Sequence, residues 1–232
     1  NYPAIVLRTL WISAVSTVLC LLLGLPVGYC LARAGRKWRQ LLMLLVIIPF
    51  WTNFLIRIFA WKLVLHPEGP LKEALVRLGL VAPDATLLYN AGAVVLVMVY
   101  TYLPFAILPI YAAAEKFDFS LMEAAQDLGT SRFGAFCRVF IPGIRRGLLT
   151  ATLMVLIPAL GAYVIPDVVG GPTSEMIGNK IAQRTFVDRN LPHASALTAL
   201  LLFTVLAVTG ALYALLRMRR GFANGGGKRV EG

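Results

Sequence analysis

Long apolar stretches alternate with short polar ones along the chain, and they set its architecture. Each of five stretches is long enough to cross a hydrocarbon core about 30 Å thick, which takes roughly 20 residues as a helix. We place these spans at 9–32, 41–65, 91–114, 147–166 and 194–216. The pattern predicts an all-α membrane protein built as a polytopic helical bundle.

Composition agrees with this pattern and indicates an orientation. The 232 residues are 59% hydrophobic and 14% charged, with a mean hydropathy of +0.77 and a net charge of +11. Fourteen Lys and Arg residues follow the first, third and fifth spans, whereas five follow the second and fourth. Because positive residues favour cytoplasmic loops, the charge indicates topology and no nucleic-acid partner. Residue 1 is then expected outside, with a further N-terminal helix missing upstream.

The loops divide the chain into predicted regions. Residues 1–216 are expected to form one transmembrane domain, preceded at 1–11 by a short interfacial lead. Two outer loops, 66–90 and 167–193, are each expected to contain a short helix, at 70–79 and 173–188. The remaining regions are a cytoplasmic segment at 115–146 and a basic flexible cytoplasmic tail at 217–232.

Residues 120–129 in the cytoplasmic segment predict a short helix. Ser120 and Glu123 have the spacing of a capping box, so the helix should begin at Leu121. Gly129 stands where a left-handed residue commonly ends a helix. One narrow apolar face is expected to contain Leu121, Ala124, Ala125 and Leu128. The two small residues in its centre would let another surface approach closely.

A second helix is predicted directly after the first, capped by Thr130 or Ser131. It should carry an apolar stripe that ends at Pro142 and consists of Phe133, Phe136, Cys137 and Phe140. The pair could lie flat on the membrane surface or dock on a protein. The first helix carries acidic and no basic residues, which is poor composition for anionic headgroups, so a protein partner is favoured.

The stretch "EAAQDLGTSRFGAFCRVFIP" resembles the cytoplasmic coupling motif of permease subunits of bacterial ABC importers. The residues that match are Glu123, Ala124, Ala125, Gly129 and Pro142, and Val139 and Ile141 are conservative departures. The stretches "PFWTNFLIR", "YTYLPFAILPIYA", "IPDVVGGP" and "MIGN" resemble the membrane subunits of spermidine/putrescine importers. "FVDRNLPHASA" departs from them, with Leu191 in place of a Trp.

The resemblance implies the type I ABC importer permease fold in a bacterial inner membrane. It implies four kinds of partner: a homologous second permease, a dimer of cytoplasmic ATPase subunits, an extracytoplasmic solute-binding protein and the bilayer. ATP and Mg would bind the ATPase. This chain is expected to be non-catalytic and to bind no cofactor, and it has no phosphate-loop motif. Coupling to the ATPase is expected to involve Ser120, Glu123, Ala124, Ala125, Leu128, Gly129, Phe136 and Pro142.

A polyamine pathway should offer aromatic faces for ammonium groups and a few carboxylates. The candidates are Trp51, Asn53, Arg57, Trp61, Tyr100, Tyr163 and Asp167. Arg57 fits this substrate poorly, so another organic cation, a phosphonate or a thiamine-like solute stays open. A secondary transporter would need buried acids inside the spans, which the sequence lacks. A membrane enzyme or a metal site would need clustered His or Cys, and the two His and three Cys are scattered.

Overall fold

The structure is a computed structural model that describes residues 2–82 and 84–224, with side chains up to residue 211. The chain divides into two compact units, one up to Asn179 and the other from Lys180 onward. No strand occurs in the described residues. Among the described residues, three helices are long and apolar enough to cross a membrane, and two bent helix pairs bring the number of spans to as many as five.

Three helices form the centre of the first unit: α1 (Tyr2–Arg33), α5 (Ala91–Ala114) and α9 (Arg145–Leu160). Small residues let them pack closely, as is usual where lipid rather than water surrounds a bundle. A Cβ placed on Gly28 of α1 would lie 2.6 Å from Ile110 Cγ2 on α5. A Cβ placed on Gly147 of α9 would lie 2.9 Å from the Pro109 carbonyl oxygen.

The third predicted span coincides with α5, and the first extends further than predicted. Helix α1 begins at Tyr2, so residues 2–11 of the predicted lead form the first three turns of the same helix. A tertiary contact holds these turns, because the side chain of Thr9 is buried and accepts a hydrogen bond from the N–H of Ile177 at 2.9 Å.

The second predicted span, 41–65, is wrong as a single helix. It consists of α2 (Arg36–Ile47), a 3-10 turn (Ile48–Trp51) and α3 (Phe54–Val64), with a 92° bend between the two helical parts. Pro49 lies in the 3-10 turn, and its carbonyl accepts a hydrogen bond from Thr52 Oγ1 at 2.7 Å. Thr52 is extended, with φ −80° and ψ 147°, so the helix cannot continue through it.

The fourth predicted span, 147–166, is also interrupted. Helix α9 ends at Leu160, and the chain forms a separate helix further on, after a break at residues 161–163. At its other end α9 meets the preceding helical stretch at a 73° bend. The break includes Gly161, whose φ of −89° and ψ of 2° lie outside the helical region.

The remaining elements connect these helices. In the first unit they are α4 (Pro70–Arg77), α6 (Ser120–Asp127), α7 (Arg132–Ala135), a π-helical turn (Phe136–Phe140), α8 (Ile141–Gly143), α10 (Val164–Val169) and a 3-10 turn (Pro172–Ser174). Helix α11 (Ile177–Ala182) begins in the first unit and ends in the second. Helices therefore occur in both outer loops where the sequence predicts them.

The second unit continues with a π-helical turn (Gln183–Val187) and α12 (Leu191–Asn224). Helix α12 contains the predicted fifth span and extends eight residues into the segment 217–232, which the sequence predicts as a flexible tail. Residues 225–232 of that segment lie outside the described residues.

Candidate coupling surface and transport pathway

The start of α6 is capped by Asp118 and not by the predicted pair Ser120 and Glu123. Asp118 Oδ1 accepts a hydrogen bond from the N–H of Ser120 at 3.0 Å. The side chains of Ser120 and Glu123 make no capping hydrogen bond, so the predicted capping box is absent from α6. A carboxylate that accepts a backbone N–H two residues on forms a stronger, charge-assisted bond than a hydroxyl does. The Asp-x-Ser pattern was the signal that could have identified this cap.

Gly129 ends α6 as predicted. Its φ is +86°, in the left-handed region that glycine adopts without steric cost. The N–H of Gly129 donates to the carbonyl of Gln126 at 2.9 Å, and the N–H of Thr130 donates to the carbonyl of Ala125 at 3.0 Å. This pair of hydrogen bonds is a Schellman motif, and it turns the chain sharply into the second helix.

Most of the predicted apolar face of α6 points away from the helical bundle, but Ala125, which was expected on the same face, is half-buried and packs against the core of the first unit. Leu121 is 53% exposed and Leu128 is 88% exposed, and Glu123 and Ala124 are exposed beside them. Met122 is buried at 4% exposure. Helix α6 therefore presents an exposed apolar patch of Leu121, Ala124 and Leu128 that has no partner in the described part of the first unit, while Met122 and Ala125 anchor the helix.

Five aromatic rings connect the coupling segment to α1. The Tyr29 ring stands edge-on to the Phe140 ring at 5.0 Å and to the Phe136 ring at 5.3 Å between centroids. The ring centroids of Phe117 and Phe119 lie 5.3 and 6.1 Å from that of Phe140. We call these five rings, Tyr29, Phe117, Phe119, Phe136 and Phe140, the aromatic platform. Tyr29 was missed from the sequence because it lies 90 to 111 residues upstream of the rings that it contacts.

The second helical stretch follows the prediction in part. Ser131 caps it, because its Oγ accepts the N–H of Gly134 at 3.1 Å. Phe136 and Phe140 are packed in the aromatic platform, but Phe133 is 77% exposed, so its place in the predicted stripe is wrong. The π-helical turn Phe136–Phe140 adds a residue to one turn and so rotates Phe133 off the packed face. Pro142 is exposed at the end of the stretch.

Arg57 and Asn53, two predicted pathway residues, lie at the bend of the second span. Asn53 Oδ1 accepts hydrogen bonds from the N–H groups of Leu55 at 2.8 Å and Ile56 at 3.4 Å, so Asn53 caps α3. The Arg57 guanidinium lies 5.5 Å from the centroid of Phe50 and 6.0 Å from that of Phe54. Its Nε is buried and has no hydrogen-bond partner in the described residues.

The other predicted aromatic residues are only partly brought together. Trp61 and Tyr100 stand edge-on at 5.3 Å between centroids. Trp51 is 83% exposed and contacts none of the other candidates through its ring in the described residues. Tyr89, which no sequence pattern indicated, has its ring centroid 5.9 Å from Lys62 Nζ.

Tyr163 and Asp167 are joined by Asn179, which was not among the predicted site residues. Asn179 Nδ2 donates to the carbonyl of Tyr163 at 3.0 Å and to Asp167 Oδ1 at 3.4 Å. Tyr163 and Asp167 are both exposed. The stretch "MIGN" contains Asn179, and only the tertiary structure shows what its side chain contacts.

With the geometry established, similarity to known proteins identifies the family. Residues 24–221 match the family described as binding-protein-dependent transport system inner membrane component. The chain belongs to this family. It is therefore a multi-pass inner membrane permease subunit of a transport system, as the coupling motif indicates.

Several proteins similar to this chain are transport permeases. The chain is 39% identical to the spermidine/putrescine transport system permease protein PotB of Haemophilus influenzae over 197 residues, which cover 85% of the chain and 69% of the relative. It is 37% identical to PotB of Escherichia coli over 212 residues, which cover 91% and 77%. It is 31% identical to the inner membrane ABC transporter permease protein YdcU of Escherichia coli over 211 residues, which cover 85% of this chain and 66% of that relative.

Solved structures confirm the predicted type I ABC importer permease fold. A bacterial alginate ABC transporter, solved with an alginate-bound periplasmic protein, matches with a TM-score of 0.74 at 17% identity and covers 95% of this chain and 79% of its own. The methionine ABC transporter MetNI, in an inward-facing conformation, matches with a TM-score of 0.70 at 21% identity and covers 92% and 94%. At these identities the likeness concerns the fold alone.

Proposed function

We propose that this chain is a permease subunit of an ATP-driven importer of polyamines. The single observation that carries the proposal is the similarity, over most of the chain, to permeases of spermidine/putrescine transport systems. Together with a homologous second permease it would form the pathway across the membrane. An extracytoplasmic solute-binding protein would deliver the substrate on the side of the loops 66–90 and 167–193.

The exposed face of α6 supports coupling to a cytoplasmic ATPase dimer. Leu121, Ala124 and Leu128 form a small apolar surface that has no partner among the described residues of the first unit and suits a groove on another protein. The aromatic platform would transmit movement of α6 to α1 through Tyr29. ATP and Mg would bind the ATPase subunits, and this chain would contribute no catalytic residue.

The chemistry of the pathway candidates supports a cationic substrate. Aromatic faces at Trp61 and Tyr100 and a carboxylate at Asp167 are the groups that bind ammonium ions. Among these candidates, Arg57 would favour an anionic solute. Its charge, however, already lies over the rings of Phe50 and Phe54.

The test is uptake by the complete importer, made of both permeases, the ATPase and the binding protein, in proteoliposomes. Labelled putrescine should enter in an ATP-dependent manner, and unlabelled spermidine should compete while an amino acid, a phosphonate and thiamine should not. Competition by the phosphonate or thiamine, and not by spermidine, would assign the importer to another solute. A change of Glu123 to Lys should abolish uptake without preventing membrane insertion.

A further inference from the structure

The side-chain amide of Asn179 connects its own turn to the start of α10. Its Oδ1 accepts the N–H of Met176 at 3.1 Å, and its Nδ2 donates to the Tyr163 carbonyl and to Asp167 Oδ1. A backbone N–H can only donate and a carbonyl can only accept, so these partners determine which end of the amide faces Asp167. The donor end faces the carboxylate.

The turn that carries Asn179 has little freedom to move away. Gly178 packs so closely on the break after α9 that an added Cβ would lie 2.6 Å from the carbonyl oxygen of Ala162. The next residue back, Ile177, donates its N–H to Thr9 Oγ1 on α1 at 2.9 Å. Asn179 is therefore held from two sides in a position where its amide meets Asp167.

The contact orients the Asp167 carboxylate and leaves its charge in place. Asp167 is exposed, and in the described part of the chain it takes part in no ion pair. A Lys or Arg in the position of Asn179 would neutralise the carboxylate, whereas a neutral amide donor directs one oxygen and adds no positive charge. At 3.4 Å the hydrogen bond is long, so it orients the carboxylate more than it stabilises it.

We propose that Asn179 is a positioning residue that holds the Asp167 carboxylate as a receptor for an ammonium group of the substrate. The same amide holds the backbone of Tyr163, whose exposed side chain belongs to the same loop. This inference rests on the proposed import of polyamines. It assigns their first contact with this chain to residues 163–179, which run from the break after α9 to Asn179.

A double-mutant cycle on uptake of labelled putrescine tests the proposal. The half-saturation concentration and the maximal rate are measured in the complete importer, at a fixed amount of binding protein, for Asn179→Ala, Asp167→Asn and the combination. Asn179→Ala is expected to raise the half-saturation concentration roughly three- to fivefold, as loss of a long hydrogen bond at the low end of the usual range would. In the Asp167→Asn background the same change should have no further effect.

Controls separate positioning from a general loss of structure. Thr152→Val removes a part-buried hydroxyl of α9 that bonds within its own helix, to the carbonyl of Leu148 at 2.7 Å, and does not touch the turn of Asn179, so it should leave the half-saturation concentration unchanged. If Asn179→Ala does not assemble, Asn179→Asp is nearly isosteric and keeps the acceptor for Met176. Its carboxylate repels Asp167, so it should raise the half-saturation concentration only while Asp167 is present.

Two results would overturn the inference and leave the proposed function intact. One is an equal effect of Asn179→Ala with and without Asp167, which would make Asn179 purely structural. The other is an unchanged half-saturation concentration in Asp167→Asn, which would remove Asp167 as the receptor. Failure of the unmodified importer to take up putrescine would instead contradict the proposed function itself.

Discussion

The ring of Tyr29 on α1 stands edge-on to the fully buried ring of Phe140, with 5.0 Å between centroids and 81° between planes. Edge-to-face pairs of this kind are favoured by the ring quadrupoles and contribute about 0.5–1.5 kcal/mol beyond their burial. Phe140 ends the π-helical turn of the coupling segment, and Tyr29 lies near the end of α1. The contact therefore joins the segment expected to move with the ATPase to the central helices.

Phe140→Ala should destabilise the protein strongly and impair uptake. Phe140 is buried among the other rings of the aromatic platform, so truncation leaves a cavity that costs about 3–5 kcal/mol. Thermal unfolding of the permease complex in detergent measures the effect. Phe133→Ala is the matched control, because Phe133 is 77% exposed and should leave the unfolding temperature unchanged. Equal destabilisation by both changes would contradict the packing described above.

Gly129→Val should uncouple ATP hydrolysis from uptake. A side chain at φ +86° costs about 1–2 kcal/mol, and a β-branched one is the least tolerated. Because nothing lies within 4 Å of an added Cβ, the effect comes from backbone strain and not from a clash. The ratio of solute transported to ATP hydrolysed should fall for Val. It should remain near the unmodified value for Gly129→Asn, since asparagine tolerates this conformation.

Asp118→Asn should loosen the first turn of α6 at neutral pH. Hydrogen bonds from Ser120, first from its side chain and then from its backbone, hold the pKa of Asp118 below its ordinary value. The folded pKa is thus lower than the unfolded one, so the stabilisation is complete above the ordinary aspartate pKa and is lost as pH falls through the folded value. Hydrogen exchange of the α6 amides should be faster in the variant at pH 7.

The pH dependence supplies the control for this prediction. In the unmodified protein, protection of the first turn should persist from pH 7 down to the ordinary aspartate pKa and decrease only below it. Asp118→Asn should show no such step, because asparagine does not titrate. Equal protection in both proteins at pH 7 would show that the cap contributes nothing to α6.

Gly147→Ala should destabilise the packing of α9 against α5. The added methyl group would clash with the side chain of Ala113 and lie 2.9 Å from the Pro109 carbonyl oxygen, and backbone atoms cannot move aside easily. Overpacking of this kind costs about 1–3 kcal/mol. Thermal unfolding in detergent should show the loss for Gly147→Ala and not for Gly161→Ala, where the nearest atom is 3.9 Å away.

The sequence predicts features that depend on a residue's own neighbourhood. The third span at 91–114, the left-handed Gly129 and the Ser131 cap are confirmed, because hydropathy, φ and a cap three residues away are local properties. The Ser120–Glu123 capping box is wrong although it is also local. Two caps were available within three residues, and the charged acceptor of Asp118 prevailed over the hydroxyl.

Tertiary structure decided which segments bend and which distant side chains meet. Hydropathy is the same for a straight helix and for one bent by 92°, so the sequence cannot distinguish the single span 41–65 from the pair α2 and α3. The Tyr29–Phe140 contact joins residues more than a hundred positions apart, and the Asn179–Asp167 contact joins two segments across a break in the helices. A sequence encodes the residue types for such contacts, but only the folded chain brings their atoms within reach. The family could thus be recognised from local motifs, whereas the aromatic platform and the amide that orients Asp167 required the folded arrangement.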